Sequence, residues 1–385
     1  MRVAIDCRPL QTPSRVRGIG TYIKELLFAF AQMDKDTIDP HFIFWPDTDD
    51  LFSEIAEEIG LSKDYPLKEK IFFVNRPSIG KMQWMKDAYS YDCWENIARK
   101  VDLLHFTSPF ELDFGWPKSK LSAPKIVTVH DLMSITHANL LLQGKHKLLK
   151  PVYKSMAKQL RFAQGLICVS NYTLGEVQYF LKEQTPQSQA VLLGCSQKFS
   201  QPFVSEIDRV RQKYKLPEEY ILFFGGLSAT KNLETLLASL DYADLPPLVV
   251  AGAAQKSVVD KLKESFPGVI WLGSIPQEDL PALYGAATVY VMPSLAEGFG
   301  LPLLEAMACG TPVACSNRPA LNEVTADAAA KFEPNDPRHI AQVICELICD
   351  PQRMEVLRER GFKRTKELTF TQTARKTIGF YKKML

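Results

Sequence analysis

Two glutamates, Glu297 and Glu305, flank a short turn that is rich in glycine. The residues of this turn are Gly298, Phe299, Gly300 and Leu301. A strand pattern that ends at Ser294, followed by Pro302, predicts that the turn opens a helix. The first amides of a helix are free donors beside about half a positive charge, so they suit a phosphate group. The carboxylates suit sugar or ribose hydroxyls, although a plain strand-to-helix turn with a capping glutamate would show the same pattern.

Other residues along the chain also suit a sugar phosphate. Lys231 follows a predicted strand, where its ammonium group can reach the same diphosphate as the helix terminus. His130 ends another predicted strand, and a neutral imidazole there can hydrogen-bond a sugar. Gly18 and Gly20 open the first long predicted helix, and their amides can line the same site. A solvated turn lysine, a structural histidine and a flexible loop are the alternative interpretations.

Short apolar runs alternate with amphipathic stretches along the chain. Because the runs do not alternate polar with apolar residues, they indicate parallel strands that helices cover on both faces. The strands predicted in the first half are 3–5, 41–45, 71–74, 103–106, 126–129, 166–169 and 191–193. The strands predicted in the second half are 220–224, 248–251, 269–272, 288–292 and 312–315.

This alternation lapses between residues 196 and 217, which indicates a linker. The prediction is therefore an α/β fold of two doubly wound Rossmann-like domains that face a central cleft. The first domain is expected to span residues 1–198 and the second 199–369. A C-terminal helix of about residues 370–385 is expected to pack back on the first domain. Ligands of such sheets bind beyond the carboxyl ends of the strands.

The composition excludes several classes of function. Of the 385 residues 46% are apolar, and 46 Lys and Arg against 44 Asp and Glu leave a net charge of +2. So small a charge does not gather nucleic acid. No apolar run approaches the ~20 residues that span a bilayer, and the N-terminal residues lack the apolar core of a signal peptide. The expected location is the cytoplasm.

The two glutamates and the turn between them resemble the signature of a known family. Glu297, seven intervening residues and Glu305, with Gly-Phe-Gly-Leu-Pro inside, are similar to the motif of the large retaining glycosyltransferase family that includes sucrose synthases and bacterial mannosyltransferases. Other segments match that family in order and spacing. They are residues 5–8, 18–22, 129–132, 169–171, Gly225 and 231–232.

The resemblance implies the two-domain fold called GT-B, with an acceptor-side first domain and a second domain that binds a nucleotide-diphosphate sugar. It implies no cofactor and no catalytic metal, since the sugar nucleotide is a substrate. It gives catalytic roles to Glu297, His130 and Lys231, with Glu297 facing the transferred sugar and Glu305 facing the ribose. The donor-binding residues that it implies are Gly18, Gly20, Gly225, Gly226, Lys231, Ile275, Gly298, Phe299, Gly300, Leu301 and Glu305.

One position departs from the pattern of that family. The family often has an arginine directly after the glycine equivalent to Gly225, and this chain has Gly226 there. Half of the cationic clamp expected on the diphosphate is therefore missing. Arg8, Arg15 and Arg17 are the candidates for supplying that charge instead.

The N-terminal patterns Ile-Asp-x-Arg and Gly-Ile-Gly resemble those of bacterial enzymes that use GDP-mannose. The expected reaction is transfer of mannose from GDP-mannose to a hydroxyl acceptor, with retention of configuration. A glycan or a lipid-linked sugar in polysaccharide, lipopolysaccharide or glycolipid synthesis is the expected acceptor. Two alternatives stay open: a sugar-nucleotide 2-epimerase with the same fold, and a non-catalytic regulatory protein that binds a nucleotide sugar.

Two further patterns concern a metal and a membrane. Asp47 and Asp49, with one residue between them after a predicted strand, are typical of a glycosyltransferase architecture that holds a divalent metal, although acidic surface turns are common. A basic stretch without acidic residues can rest on anionic lipid headgroups. Its cations are Lys145, Lys147, Lys150, Lys154, Lys158 and Arg161. A solvated helix face is the alternative.

Overall fold

The structure, a computed structural model, divides the chain into two α/β units. It describes every residue except 35, 47–53, 56, 60–66, 75–82, 111–115, 142–148 and 254–255. One unit takes in Met1–Ala138, the stretch that ends at Leu193, and Phe370–Leu385. The other takes in residues 139–141 and Gly194–Thr369. The change of unit between Leu193 and Gly194 falls a few residues before the domain boundary predicted at residue 198.

The first unit is built on a seven-stranded parallel sheet with the order β3-β2-β1-β4-β5-β6-β7, so the chain winds outward from β1 in both directions. The strands are β1 (Arg2–Asp6), β2 (Asp39–Phe44), β3 (Ile71–Phe73), β4 (Leu103–Phe106), β5 (Lys125–Val129), β6 (Gly165–Cys168) and β7 (Gln187–Ala190). The helices that precede residue 194 include α1 (Gly18–Ala31), α2 (Gln83–Ala98), α3 (Met133–Thr136), α4 (Ala138–Leu141), α5 (Lys150–Gln159) and α6 (Asn171–Leu181).

Burial on both faces explains why most of these strands were recognisable as unbroken apolar runs. Every residue of β4, β5 and β6 is buried. Apolar side chains such as Trp94, Ala157 and Leu160 pack with the strands in one core. A parallel sheet covered in this way has no solvated face, so its strands carry no polar alternation.

The strand predicted at 191–193 is wrong, because β7 occupies Gln187–Ala190 instead. β7 lies at the sheet edge and pairs only with β6, and its polar residues are exposed or half-buried. The apolar Val191 and Leu193 are buried just beyond its end. An edge strand needs less apolar surface than a central one, which is why hydropathy placed the strand in the adjacent apolar segment.

The second unit is built on a six-stranded parallel sheet with the order β10-β9-β8-β11-β12-β13. The strands are β8 (Ile221–Phe224), β9 (Leu248–Ala251), β10 (Ile270–Gly273), β11 (Val289–Met292), β12 (Val313–Ser316) and β13 (Ala330–Phe332). The helices are α7 (Val204–Tyr214), α8 (Leu233–Ser239), α9 (Lys256–Ser265), α10 (Leu280–Gly285), α11 (Leu301–Ala308), α12 (Pro319–Thr325), α13 (Pro337–Ile348) and α14 (Pro351–Glu367).

Strand β13 was not predicted from the sequence. It has three residues, Ala-Lys-Phe, which are too few to show any periodicity. It pairs in parallel with β12 and closes that edge of the second sheet.

The chain ends in α15 (Phe370–Met384), which belongs to the first unit. Thr373 donates its hydroxyl hydrogen to the carbonyl of Leu192 at 2.8 Å. Tyr381, fully buried near the other end of α15, lies 2.6 Å from Nδ1 of His105 in β4. Within the described ranges, no helix has the length and apolar character needed to cross a bilayer.

His105 is the centre of a buried chain of neutral polar groups. Its Nε2 lies 2.7 Å from the hydroxyl of Thr128 in β5, which in turn lies 2.9 Å from the hydroxyl of Tyr22 in α1. The network therefore connects α15 to α1 through the middle of the first sheet. Burial lowers the pKa of His105 to about 3, so the imidazole is neutral and both donates and accepts.

We expect the free energy of unfolding to fall as the pH is lowered from about 6.5 towards 3. The unfolded chain protonates His105 near its ordinary pKa of 6.5, whereas the folded chain resists protonation until about pH 3. Between pH 7 and pH 5, protonation of His105 in the unfolded chain should lower the free energy of unfolding by about 2 kcal/mol. Urea unfolding at both pH values tests this. The variant His105→Asn should be less stable than the wild type at pH 7. Between pH 7 and pH 5 its free energy of unfolding should fall by about 2 kcal/mol less than that of the wild type. Equal losses in the two proteins would contradict a low pKa of His105 in the folded chain.

Candidate functional site

Three glycines close the carboxyl ends of neighbouring strands in the second sheet. Gly225 follows β8, Gly252 follows β9, and Gly273 ends β10. The N–H of Gly252, at φ +133°, donates to the carbonyl of Gly273 at 2.7 Å. A Cβ at Gly252 would lie 2.1 Å from the carbonyl oxygen of Gly225, so only glycine fits there.

A cavity of about 170 Å³ lies beside these glycines. Gly252, Trp271 and Gly273 line it, together with Leu227 from the turn after β8. The cavity is therefore at the carboxyl edge of the sheet, where ligands of parallel α/β sheets bind. Ile275 lies half-buried two residues beyond the end of β10.

A lysine and a glutamate meet at the same edge of the second sheet. Nζ of Lys231 lies 2.7 Å from Oε1 of Glu297, and Glu297 is only 9% exposed. Lys231 ends a short 3-10 turn after β8, and Glu297 follows the adjacent strand β11. The side-chain amide nitrogen of Asn232 donates to the carbonyls of Pro293 and Pro334, at 3.0 and 2.8 Å. These buried hydrogen bonds fix the lysine turn to the glutamate turn.

The turn after Glu297 leads directly into helix α11. Gly300 has φ +116° and precedes Leu301, the first residue of α11, and Pro302 lies in the first turn. A Cβ at Gly300 would lie 2.9 Å from Cδ2 of Leu321, so the space as well as the backbone favours glycine. The predicted helix start is thus observed, with first-turn amides that lack i−4 acceptors within the helix.

Glu305 lies one turn inside α11 and is half-buried. The hydroxyl of Tyr284, from α10, donates to its Oε2 at 3.0 Å. This hydrogen bond ties the position of the Glu305 carboxylate to α10.

The structure brings several predicted donor residues together. Lys231 contacts Glu297, and a Cβ on Gly225 would lie 4.0 Å from the Lys231 side chain. Gly226 is at the position where the family often has arginine, and a Cβ placed there would have no atom within 4 Å. Sequence reasoning missed Gly252, Gly273 and Tyr284. A glycine at or directly after a predicted strand was the available signal for the first two.

Among the predicted residues of the first unit, His130 packs against Tyr22. The Tyr22 ring packs edge-on against the His130 ring, with the centroids 5.0 Å apart. Nε2 of His130 lies 2.9 Å from the carbonyl of Thr107, and burial lowers the pKa of His130 to about 4. The imidazole is therefore neutral at pH 7: Nε2 donates to that carbonyl and Nδ1 is an acceptor.

Gly18 and Gly20 differ in their surroundings. A Cβ at Gly20 would lie 2.2 Å from the carbonyl oxygen of Arg15, so Gly20 allows α1 to start against the preceding turn. No atom lies within 4 Å of a Cβ built at Gly18, which leaves space at the start of α1.

Two of the arginines that could replace the missing arginine at position 226 form ion pairs with carboxylates. Arg8 is buried and forms a two-point pair with Asp6, with Nη2 to Oδ2 at 2.7 Å and Nε to Oδ1 at 2.8 Å. Arg15 lies 3.1 Å from Glu54 and 2.9 Å from Glu58. These pairs argue against both as the missing cation. Arg17 is exposed directly before Gly18.

Asp47 and Asp49 lie outside the described residues. Among the residues that the structure describes, no cluster of three or more His, Cys, Asp or Glu side chains could hold a metal ion.

The basic stretch is described only in part, since Lys145 and Lys147 also lie outside the described residues. Its remaining cations are exposed on or directly after α5: Lys150, Lys154, Lys158 and Arg161. Ala157 and Leu160 are buried, whereas Val152 is 41% exposed.

One family profile matches the chain in each half. Residues 16–182 match the family described as Glycosyltransferase Family 4, and residues 204–364 match Glycosyl transferases group 1. With the two parallel α/β units described above, these matches identify the protein: the chain belongs to the glycosyltransferases of the GT-B fold.

Two relatives from Escherichia coli are mannosyltransferases. The O-antigen chain mannosyltransferase B is 34% identical over 242 residues, which cover 60% of this chain and 63% of that protein. The serotype-specific mannosyltransferase WbdA is 27% identical over 315 residues, which cover 75% of this chain and 37% of that protein. The chain therefore covers less than two thirds of the length of either relative.

Solved structures share the fold along the whole chain. The sucrose-phosphate synthase of Thermosynechococcus elongatus has a TM-score of 0.75 at 19% identity, covering 100% of this chain and 99% of that one. HepE of Anabaena, in complex with UDP and glucose, has a TM-score of 0.72 at 16% identity, covering 100% of both chains. Identities this low show a shared fold alone.

Replacing Gly252 by alanine should destabilise the protein by about 2 kcal/mol or more. The new Cβ would meet the Gly225 oxygen, and the residue would be held at φ +133°. Gly226→Ala is the matched control, because nothing lies near its Cβ and its φ is not positive. It should change stability by less than about 0.5 kcal/mol. Urea unfolding measures both, and equal stabilities would contradict the close approach of the two glycines.

Proposed function

We propose that the protein is a glycosyltransferase that moves a hexose from a nucleotide-diphosphate sugar to a hydroxyl acceptor. The observation that carries this proposal is the contact of Lys231 with Glu297 beside the start of α11. One small region thereby offers an ammonium group and helix-start amides to a diphosphate, and a carboxylate to a sugar.

The departing diphosphate gains negative charge as the bond to the sugar breaks. The amides of Phe299, Gly300 and Leu301, together with Lys231, are placed to stabilise that charge. Fixed donors aimed at developing charge commonly supply the largest catalytic contribution. Gly225, Gly226, Gly298 and Ile275 are proposed to contact the donor through their backbone or side chain.

Glu297 is proposed to hold the transferred sugar through its hydroxyls, and Glu305 to hold the ribose. We include His130 because a neutral imidazole can hydrogen-bond a sugar, and Gly18 and Gly20 because amides at the start of α1 suit the donor. The proposed donor is GDP-mannose. The mannosyltransferase relatives support the sugar, whereas the HepE complex supports a nucleoside diphosphate without favouring guanine.

The transfer is proposed to retain the configuration of the sugar and to need neither metal nor cofactor. No carboxylate is assigned as a nucleophile. A phosphate oxygen of the departing diphosphate is proposed to take the acceptor proton, while the acceptor attacks the same face of the sugar. The helix-start amides and Lys231 would then supply the charge stabilisation that a metal gives in other enzymes.

The two glutamates should differ in what their removal costs. Glu297→Ala should lose most transfer without losing nucleotide affinity, because Glu297 is proposed to contact the sugar and its removal leaves Lys231 available to the diphosphate. Glu305→Ala should weaken nucleotide binding by about 10–100-fold, as expected for a buried hydrogen bond to a charged group. Calorimetry with GDP and UDP, and transfer of radiolabelled sugar, measure the two effects. Equal losses of nucleotide affinity would overturn this division of roles.

We also propose that the basic face of α5 rests on anionic lipid, as a lipid-linked acceptor would require. Lys150, Lys154 and Lys158 recur every fourth residue, so they lie on one face of α5, and all three are exposed. Each such cation contributes about 1 kcal/mol near an anionic surface.

Changing these three lysines to glutamine should lower binding to phosphatidylglycerol vesicles by about 100-fold at low salt. Co-sedimentation at 0.1 M and 1 M salt measures this, because the Debye length falls from about 10 Å to about 3 Å. The control changes three exposed lysines of the second unit to glutamine: Lys261, Lys363 and Lys366. It carries the same net charge and should bind like the wild type. Equal sedimentation of all three proteins would leave α5 as a solvated helix face.

A further inference from the structure

The carboxylate of Glu305 is held by a tyrosine that no sequence motif singled out. The hydroxyl of Tyr284 donates to Oε2 of Glu305 at 3.0 Å, and Tyr284 is 1% exposed. This bond comes from α10 and reaches a residue one turn inside α11. The orientation of Glu305 therefore depends on the position of another helix.

The ring of Tyr284 is enclosed by aromatic side chains. Its centroid lies 6.0 Å from Phe199, 5.8 Å from Phe224 and 5.4 Å from Tyr290, and each pair packs edge to face. The hydroxyl of Thr311 donates to the carbonyl of Tyr284 at 2.6 Å. Ring and backbone are thus both fixed, so the phenol hydroxyl has one position.

The phenol of Tyr284 stays a donor at every physiological pH. Burial raises its pKa well above the ordinary value, and the charge of Glu305 raises it further. A hydrogen bond from a neutral phenol to a carboxylate is charge-assisted and directional.

We propose that Tyr284 is a positioning residue that orients Glu305 towards the ribose hydroxyls of the nucleotide. The inference rests on the proposed function, which assigns the ribose to Glu305. The hydrogen bond from Tyr284 fixes where Oε2 of Glu305 lies. The side chain is thereby held for hydroxyl donors, and a nucleotide without these hydroxyls gains nothing from Tyr284.

Tyr290 provides a matched control. It is also 1% exposed and packs against Tyr284, but its hydroxyl donates to the carbonyl of Phe224 at 3.4 Å. Tyr290→Phe removes a buried hydroxyl from the same aromatic cluster without touching the bond to Glu305. Any effect that comes only from loosening the cluster should appear in both variants.

The test is calorimetric binding of GDP, UDP and their 2′,3′-dideoxy analogues. The wild type should prefer the ribose form of the nucleotide it binds by about tenfold or more. In Tyr284→Phe this preference should be about fivefold smaller, and the dideoxy form should bind as it does to the wild type. Tyr290→Phe should keep the whole preference. In the Glu305→Ala background, Tyr284→Phe should have no further effect on it.

Thermal unfolding of both phenylalanine variants shows whether each is folded. If Tyr284→Phe does not fold, Tyr284→Met replaces it, because methionine fills the space without a hydroxyl. A full ribose preference in the Tyr284 variant overturns the inference and leaves the proposed function intact. Equal losses in the two tyrosine variants also overturn it, because they indicate a general packing effect. A wild type without ribose preference, or without nucleotide binding, overturns the role of Glu305 and the inference with it.

Discussion

An ammonium group and a carboxylate 2.7 Å apart hold the candidate site together. Lys231 comes from the turn after β8 and Glu297 from the turn after β11, and these two strands are neighbours in the sheet. The pair is only partly exposed, so water screens it less than a surface pair. A diphosphate would compete with Glu297 for the lysine, and Glu297 would then be released to accept from a sugar hydroxyl. Under the proposed function, anion binding and sugar binding would thereby be linked at one contact.

The residues around His105 and His130 in the first unit form a network of neutral groups. Burial keeps both His105 and His130 neutral, with pKa values of about 3 and 4. Tyr22 joins them, because its hydroxyl is bonded to Thr128 of the His105 network while its ring packs on His130. The last helix of the chain completes this network through Tyr381. Neutral groups of this kind form hydrogen bonds without adding positive charge to the first unit.

The features that could be predicted from the sequence depend on neighbouring residues in the chain. The features that were missed depend on contacts between residues that are distant in the sequence. Central strands such as β5 and β11 are short apolar runs, and the start of α11 is marked by Pro302 after a glycine turn. Gly252 looked like any glycine after a strand, because its role comes from the Gly225 oxygen of the neighbouring strand. Tyr284 looked like an apolar helix residue. Its function depends on Glu305, 21 positions along the chain.

The central claim is that helix-start amides and Lys231 take the place of a metal in a retaining transfer. The most direct measurement is the anomeric configuration of the product formed from GDP-mannose and a mannose-terminated glycan in excess EDTA, determined by NMR. The account predicts an α-linked mannose formed at the same rate with and without EDTA. A β-linked product, or transfer that appears only after magnesium or manganese is added, would contradict it.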